Sequence, residues 1–214
     1  MSHQVFKDRI EAAEALAVRL QEYRGHKPLI LAIPRGAVPI GKVLAERLDG
    51  ELDIVLVRKL GAPFDPEFAI GAIDETGWTY LAPEFANESS KLIKQLRSRH
   101  LAALKSRRAQ FTPFLHPVDP QGRVVIVVDD GIATGATMIA ALHAVRAKKP
   151  SELVCAIPVA ASDSLKKIAP HADKIVCLNA PRHFGAVSQY YAHFPAVEDE
   201  EVIGTLAHFA GKRL

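Results

Sequence analysis

Val-Val-Ile-Val-Val-Asp-Asp-Gly-Ile-Ala-Thr-Gly-Ala-Thr, residues 124–137, is the stretch on which the reading of this chain turns. Five apolar, mostly branched residues form a buried strand. Asp129 and Asp130 then emerge at its carboxyl end, where open parallel sheets bind ligands. Adjacent carboxylates there can accept hydrogen bonds from the vicinal hydroxyls of a sugar, or hold a hydrated divalent cation. Ala133-Thr134-Gly135-Ala136-Thr137 follows as a small-residue loop opening a helix. Its N–H groups and two hydroxyls can wrap a phosphate at the positive end of that helix. A strand stop, a capping Thr and a turn glycine are each common singly, but their conjunction here fits a phosphorylated sugar.

The surroundings agree. Strand (123–128), helix (136–148), strand (152–159), helix (163–169) and strand (174–178) alternate, which predicts a parallel sheet with helices on both faces. Upstream, residues 7–23 have the spacing of an amphipathic helix, and Gly25 to Pro28 breaks it. Leu29–Ile33 reads as a strand, Pro34-Arg35-Gly36-Ala37 as a turn into a helix ending at Leu48, and Leu52–Val57 as a second buried strand. Gly61, Pro63 and Pro66 make residues 59–67 a loop. Phe68–Ile73 and Trp78–Leu81 read as a hairpin about Asp74-Glu75-Thr76-Gly77. A long helix runs from about Glu88 to Gln110, stopped by Pro113, Pro117 and Pro120. Beyond Asn179 come an aromatic stretch, Phe184 to Phe194, and a last helix from about Asp199. The expected architecture is one α/β domain over 1–214, with a core of about 1–178 and a C-terminal extension of about 179–214.

Composition bounds the function. The 214 residues are 49% hydrophobic and 24% charged, with net charge +3, the balance of a globular protein with a sizeable core. Cys155 and Cys177 both lie in strand-like runs, which suits a reducing compartment better than a disulfide framework. With no signal core and no apolar run of membrane length, a cytoplasmic location is expected. Ser89 to Val118 contains no acidic residue but carries Lys91, Lys94, Arg97, Arg99, Lys105, Arg107 and Arg108. Such a stretch attracts polyanions or simply solvates a helix face. There is no P-loop, no G-x-G-x-x-G, no nucleophile elbow and no zinc-spaced Cys/His cluster.

The segment 124–137 resembles the signature that binds 5-phosphoribosyl-1-pyrophosphate (PRPP) in type I phosphoribosyltransferases. Over most of its length the chain is similar to a subgroup of uncharacterised members of that family. The resemblance implies a Rossmann-like core with a small C-terminal hood and a flexible loop or hairpin. It implies that Asp129 and Asp130 bind the ribose hydroxyls and, through them or water, Mg2+. Residues Ala133, Thr134, Gly135, Ala136 and Thr137 would hold the 5′-phosphate. Pro34-Arg35-Gly36-Ala37 looks like the pyrophosphate loop, with Arg35, Gly36 and Ala37 as ligands and a non-proline cis peptide between Pro34 and Arg35. Lys59, ahead of a lid, would be a further diphosphate ligand; Arg35, Lys59, Asp129 and Asp130 would thus carry catalysis. Residues 181–191 resemble the hood, with Phe184 and Tyr190 as base-binding candidates. Gly131 departs from the family, which often has a branched residue there. Ala37 and Ser188-Gln189 depart from the subgroup, which commonly has Gly and Gly-Trp.

The expected activity is Mg2+-dependent transfer of a phosphoribosyl group to a nitrogenous acceptor by a homodimer, with neither nucleic acid nor membrane as partner. A non-catalytic PRPP sensor that regulates nucleic-acid binding is the alternative, supported only by the basic helix.

Overall fold

A computed structural model describes residues 6–62, 65–85, 91–112 and 117–211, excepting the side chains of 65–69 and 91–93. The first elements are α1 (Arg9–Arg19), β1 (Leu29–Ala32), α2 (Val38–Arg47) and β2 (Glu51–Ile54). β3 (Val57–Ala62), β4 (Asp65–Asp74), β5 (Thr79–Leu81) and α3 (Lys91–Phe111) follow. β6 (Val124–Val128), α4 (Ala136–Arg146), β7 (Glu152–Val159), α5 (Ser162–Ile168) and β8 (Lys174–Asn179) then alternate, and α6 (Asp199–Gly211) comes last.

Five strands form a parallel sheet in the order β2-β1-β6-β7-β8. Val125 to Val128 and Leu153 to Val159 are buried on both sides of the sheet, which is why these strands read as unbroken apolar runs rather than alternating ones. One core cluster joins Leu16, Leu44, Ile30 and Ile126; the other joins Leu31, Val127, Ile139 and Leu142. Helices therefore cover both faces. From β1 the chain moves outward to β2 and later returns on the other side as β6. The order thus reverses between β1 and β6, where an open α/β sheet leaves a crevice. Ala32 pairs with Val128, and Ile33 N–H donates to the Val128 carbonyl at 3.0 Å. The turn at 34–37 and the carboxylates at 129–130 leave the sheet side by side.

The loop expected at 59–67 is replaced among its described residues by strand. β3 pairs antiparallel with β4, and β4 with β5, in a separate three-stranded sheet. Gly61 and Pro66 belong to this pairing because its register slips: Gly61 faces Ala69 while Ala62 faces Asp65. Pro66 falls among the residues the ladder skips, and a bulge tolerates such breakers. Pro63, the helix start at Glu88 and the stop at Pro113 lie outside the described residues.

The acid-free helix α3 finds its acids elsewhere. Arg108 donates Nε and Nη2 to Glu75 at 3.0 and 2.6 Å, Nη1 to Asp53 at 3.3 Å, and Nη2 to the Ile54 carbonyl at 2.9 Å. Arg107 makes two bonds to Asp199, 2.7 and 2.6 Å. These two cations are joints between α3, β2, the β4–β5 turn and α6, which accounts for part of the basic stretch without any nucleic acid. No helix of the described residues is long and apolar enough to cross a membrane.

Candidate functional site

Asp129 and Asp130 leave β6 in different directions. The Asp129 carboxylate faces a pocket of about 120 Å3, which it lines with Lys59, Ala133, Thr134, Gly135, Thr137 and Val187. Burial, and then the charge of Asp130, raise its pKa well above the ordinary carboxylate range; Lys59 and Arg9 pull the other way. Asp130 turns back toward the protein: Arg9 donates Nε and Nη2 to its Oδ2, at 3.0 and 2.9 Å. Burial raises the Asp130 pKa too, against the opposing pull of Arg9.

Gly135 caps α4 at φ +87°, ψ −14°, a conformation that glycine adopts without strain. The N–H groups of the first turn of α4 have no partner within the helix and face the loop end. Ser164 Oγ donates to the Ala133 carbonyl at 2.6 Å and the side chain of Ile168 packs against Gly135, so α5 braces the loop from below. Lys59, two residues into β3, comes from the second sheet to face the carboxylate and the loop.

The Pro34–Arg35 peptide is cis, as expected. Gly36 lies against Asp130: a Cβ there would stand 2.1 Å from Oδ2. Ala37 is fully buried, and its N–H donates to the Ile33 carbonyl at 3.4 Å. Arg35 is not gathered with the rest. Its Nη1 bonds to Asp199 at 3.2 Å and lies 3.7 Å from Glu198, so the guanidinium is held at the start of α6. A larger cavity, about 730 Å3, opens beside Val55, Pro117 and Lys148. Its one arginine, Arg108, is already engaged by Asp53 and Glu75.

The chain as a whole has counterparts among known proteins. The profile of the phosphoribosyl transferase domain matches residues 3–194. The chain belongs to the phosphoribosyl transferase domain family. It is 37% identical over 205 residues to proteins named "Putative phosphoribosyl transferase" from two strains of Mycobacterium tuberculosis. That alignment covers 94% of this chain and 46% of theirs, so the chain spans about half the length of these curated relatives. Among solved structures it is similar to the protein TT1426 from Thermus thermophilus. The TM-score is 0.83 and the identity 38%, over 96% of this chain and 99% of the other.

The hood of this phosphoribosyl transferase-family chain differs from expectation in what reaches the pocket. Tyr190 is 3% exposed. It packs with Phe6, Ala12, Val159 and Tyr191, and its hydroxyl donates to the His183 carbonyl at 3.2 Å. Phe184 stacks on it, centroids 5.4 Å apart. Tyr190 is thus core of the hood, as an aromatic in a small extension tends to be, and Phe184 has one face covered. The residue that lines the pocket is Val187, which sequence reasoning missed. It also explains Gly131, where a Cβ would stand 2.4 Å from Val187 Cγ1. A branched residue at 131 would overlap the Val187 side chain. Gly131→Ala is expected to lower stability by about 1–3 kcal/mol through overpacking, and Val187→Ala in the same chain to restore most of it. Thermal melts of the two variants check this; an equally low melt for the double variant rejects the contact as the cause.

Sequence reasoning also missed Arg9. Its spacing marked it only as one residue in an amphipathic segment, and nothing local shows that it meets a carboxylate 121 residues away.

Proposed function

We propose that this chain is a phosphoribosyltransferase that uses PRPP with Mg2+, transferring the phosphoribosyl group to a nitrogen acceptor and releasing pyrophosphate. The observation that carries this reading is the convergence of Asp129, Lys59 and the loop 133–137 on one pocket beside the β1–β6 crevice. In this reading the loop and the first N–H groups of α4 hold the 5′-phosphate. The carboxylates of Asp129 and Asp130 accept the ribose hydroxyls. Lys59, with the N–H group of Gly36, faces the diphosphate, while the Ala37 N–H stays bonded to the Ile33 carbonyl inside the turn. Arg35 joins them by leaving Asp199, which keeps its two bonds to Arg107. The acceptor lies on the Val187 side, with Phe184 as the aromatic behind it. The finer expectations of a lid at β3–β4, a homodimer and a cytoplasmic location belong to this proposal.

Among the described residues no group of three or more His, Cys, Asp or Glu side chains is arranged to hold a metal. Two hard carboxylates with raised pKa values do fit a cation that arrives with the substrate, since Mg2+ is commonly held by one or two carboxylates plus substrate phosphates. Asp129 and Asp130 would hold it, directly or through the sugar, and it would neutralise charge on the leaving diphosphate. The rest of the work is positioning. An oxocarbenium-like transition state needs no covalent nucleophile, only a fixed sugar, a stabilised leaving group and exclusion of water.

The test is incubation with PRPP, Mg2+ and a panel of nitrogenous bases, following pyrophosphate release. Base-dependent release that disappears without Mg2+ is expected. Tight PRPP binding with no turnover on any base would speak against an enzyme.

A further inference from the structure

Arg9 is the first residue of α1, a place where the helix dipole disfavours a cation, and its side chain is only 9% exposed. Burying a guanidinium there is costly unless its charge is paired and its nitrogens are hydrogen-bonded. Here Nε and Nη2 both go to Asp130 Oδ2, and Nη1 goes to the Pro195 carbonyl at 2.7 Å. The guanidinium lies 3.7 Å from the centroid of the Phe194 ring. Tyr191, packed between Phe6 and Phe194, donates its hydroxyl to the Asp130 carbonyl at 2.6 Å. A Cβ on Gly36 would stand 3.4 Å from Arg9 Nη2, so the turn 34–37 rests on the same pair. One guanidinium thus ties together the end of the sugar-facing strand, the turn at 34–37 and the hood.

We propose that Arg9 is a positioning residue that fixes Asp130 through one carboxylate oxygen and couples that end of the strand to the hood. The inference rests on the phosphoribosyl reading of the site. Two donors on a single oxygen fix the rotation of the carboxylate and keep the second oxygen uncommitted to Arg9. Because the third nitrogen binds the Pro195 carbonyl, a displacement of Arg9 disturbs both Asp130 and the hood segment around Pro195. Lysine at position 9 keeps the charge but has no fork, so it can serve Asp130 or Pro195 and not both.

The test uses the whole chain and its Arg9→Met and Arg9→Lys variants, with thermal melts to establish folding. Calorimetry with PRPP and Mg2+ is expected to show weakening of roughly 10- to 100-fold for Arg9→Met, the scale on which loss of a residue that orients a ligand-binding group acts. Arg9→Lys should fall between. Binding of ribose 5-phosphate and 2-deoxyribose 5-phosphate gives a ratio that general loosening of the fold does not move. The wild-type preference for the ribose compound should shrink toward unity in Arg9→Met. Hydrogen exchange in 190–197 should accelerate in parallel. A folded Arg9→Met, or Arg9→Lys where the former does not fold, with wild-type preference and unchanged exchange would overturn the inference while leaving the phosphoribosyl reading intact. A wild-type chain that binds neither PRPP nor ribose 5-phosphate would end the phosphoribosyl reading and this inference together.

Discussion

Replacing Asp129 and Asp130 together by asparagine is expected to abolish PRPP binding in a chain that still folds. Asparagine has almost the shape of aspartate, so packing is kept while both negative charges are lost. The two positions should differ in stability. Asp129 is a carboxyl whose charge is disfavoured by burial and by its neighbour; neutralising it removes that cost, so Asp129→Asn alone should melt at or above the wild type without divalent cation. Asp130→Asn leaves the buried Arg9 with a neutral amide oxygen in place of the carboxylate beside the Pro195 carbonyl, and is expected to lower stability by about 1–3 kcal/mol. Calorimetric titration with PRPP and Mg2+, beside thermal melts, separates the two effects. Near wild-type affinity in the folded double variant would end the assignment of these carboxylates to the sugar.

Gly36→Ala should be nearly as damaging, for a steric reason. The added methyl would stand 2.1 Å from Asp130 Oδ2 and 2.9 Å from its Cγ. Asp130 cannot swing aside cheaply, because Arg9 holds that same oxygen with two bonds. Either the turn 34–37 moves away or the ion pair opens, and both displace groups assigned to the substrate. A misplacement of about 1 Å can cost on the order of 100-fold, and a loss of that size in PRPP affinity is expected. The methyl also overpacks the turn, so the melt should fall as well. An alanine variant that binds PRPP like the wild type would show that neither the turn nor the Arg9–Asp130 pair contributes to the site.

Residues 124–137 disclosed their own structure because every determinant lies within them. An apolar run makes a buried strand, two carboxylates end it, and a glycine with positive φ starts the next helix. The alternation that follows requires only that each strand return parallel to the last, so the sheet, its crevice and the loop facing Asp129 were legible from local pattern. Where the chain meets itself at long range, that pattern was silent or misleading. Gly61 and Pro66 signal a loop, yet the bulged pairing of β3 with β4 accommodates both and brings Lys59 to the pocket. Tyr190 resembles a base-stacking aromatic, yet the hood uses it as core and sends Val187 to the site. Arg35 looks like a free ligand until Asp199, at the start of α6, engages it. Arg9 looks like an ordinary helix cation until the fold sets it on Asp130. In each case the deciding partner is an element whose distance and orientation depend on the assembled sheet. The sequence by itself determined the carboxylate pair and the loop after it, because their determinants are local; only the tertiary structure decided that Val187 and Arg9 join them and that Tyr190 and Arg35 are held elsewhere, because those contacts depend on the assembled sheet.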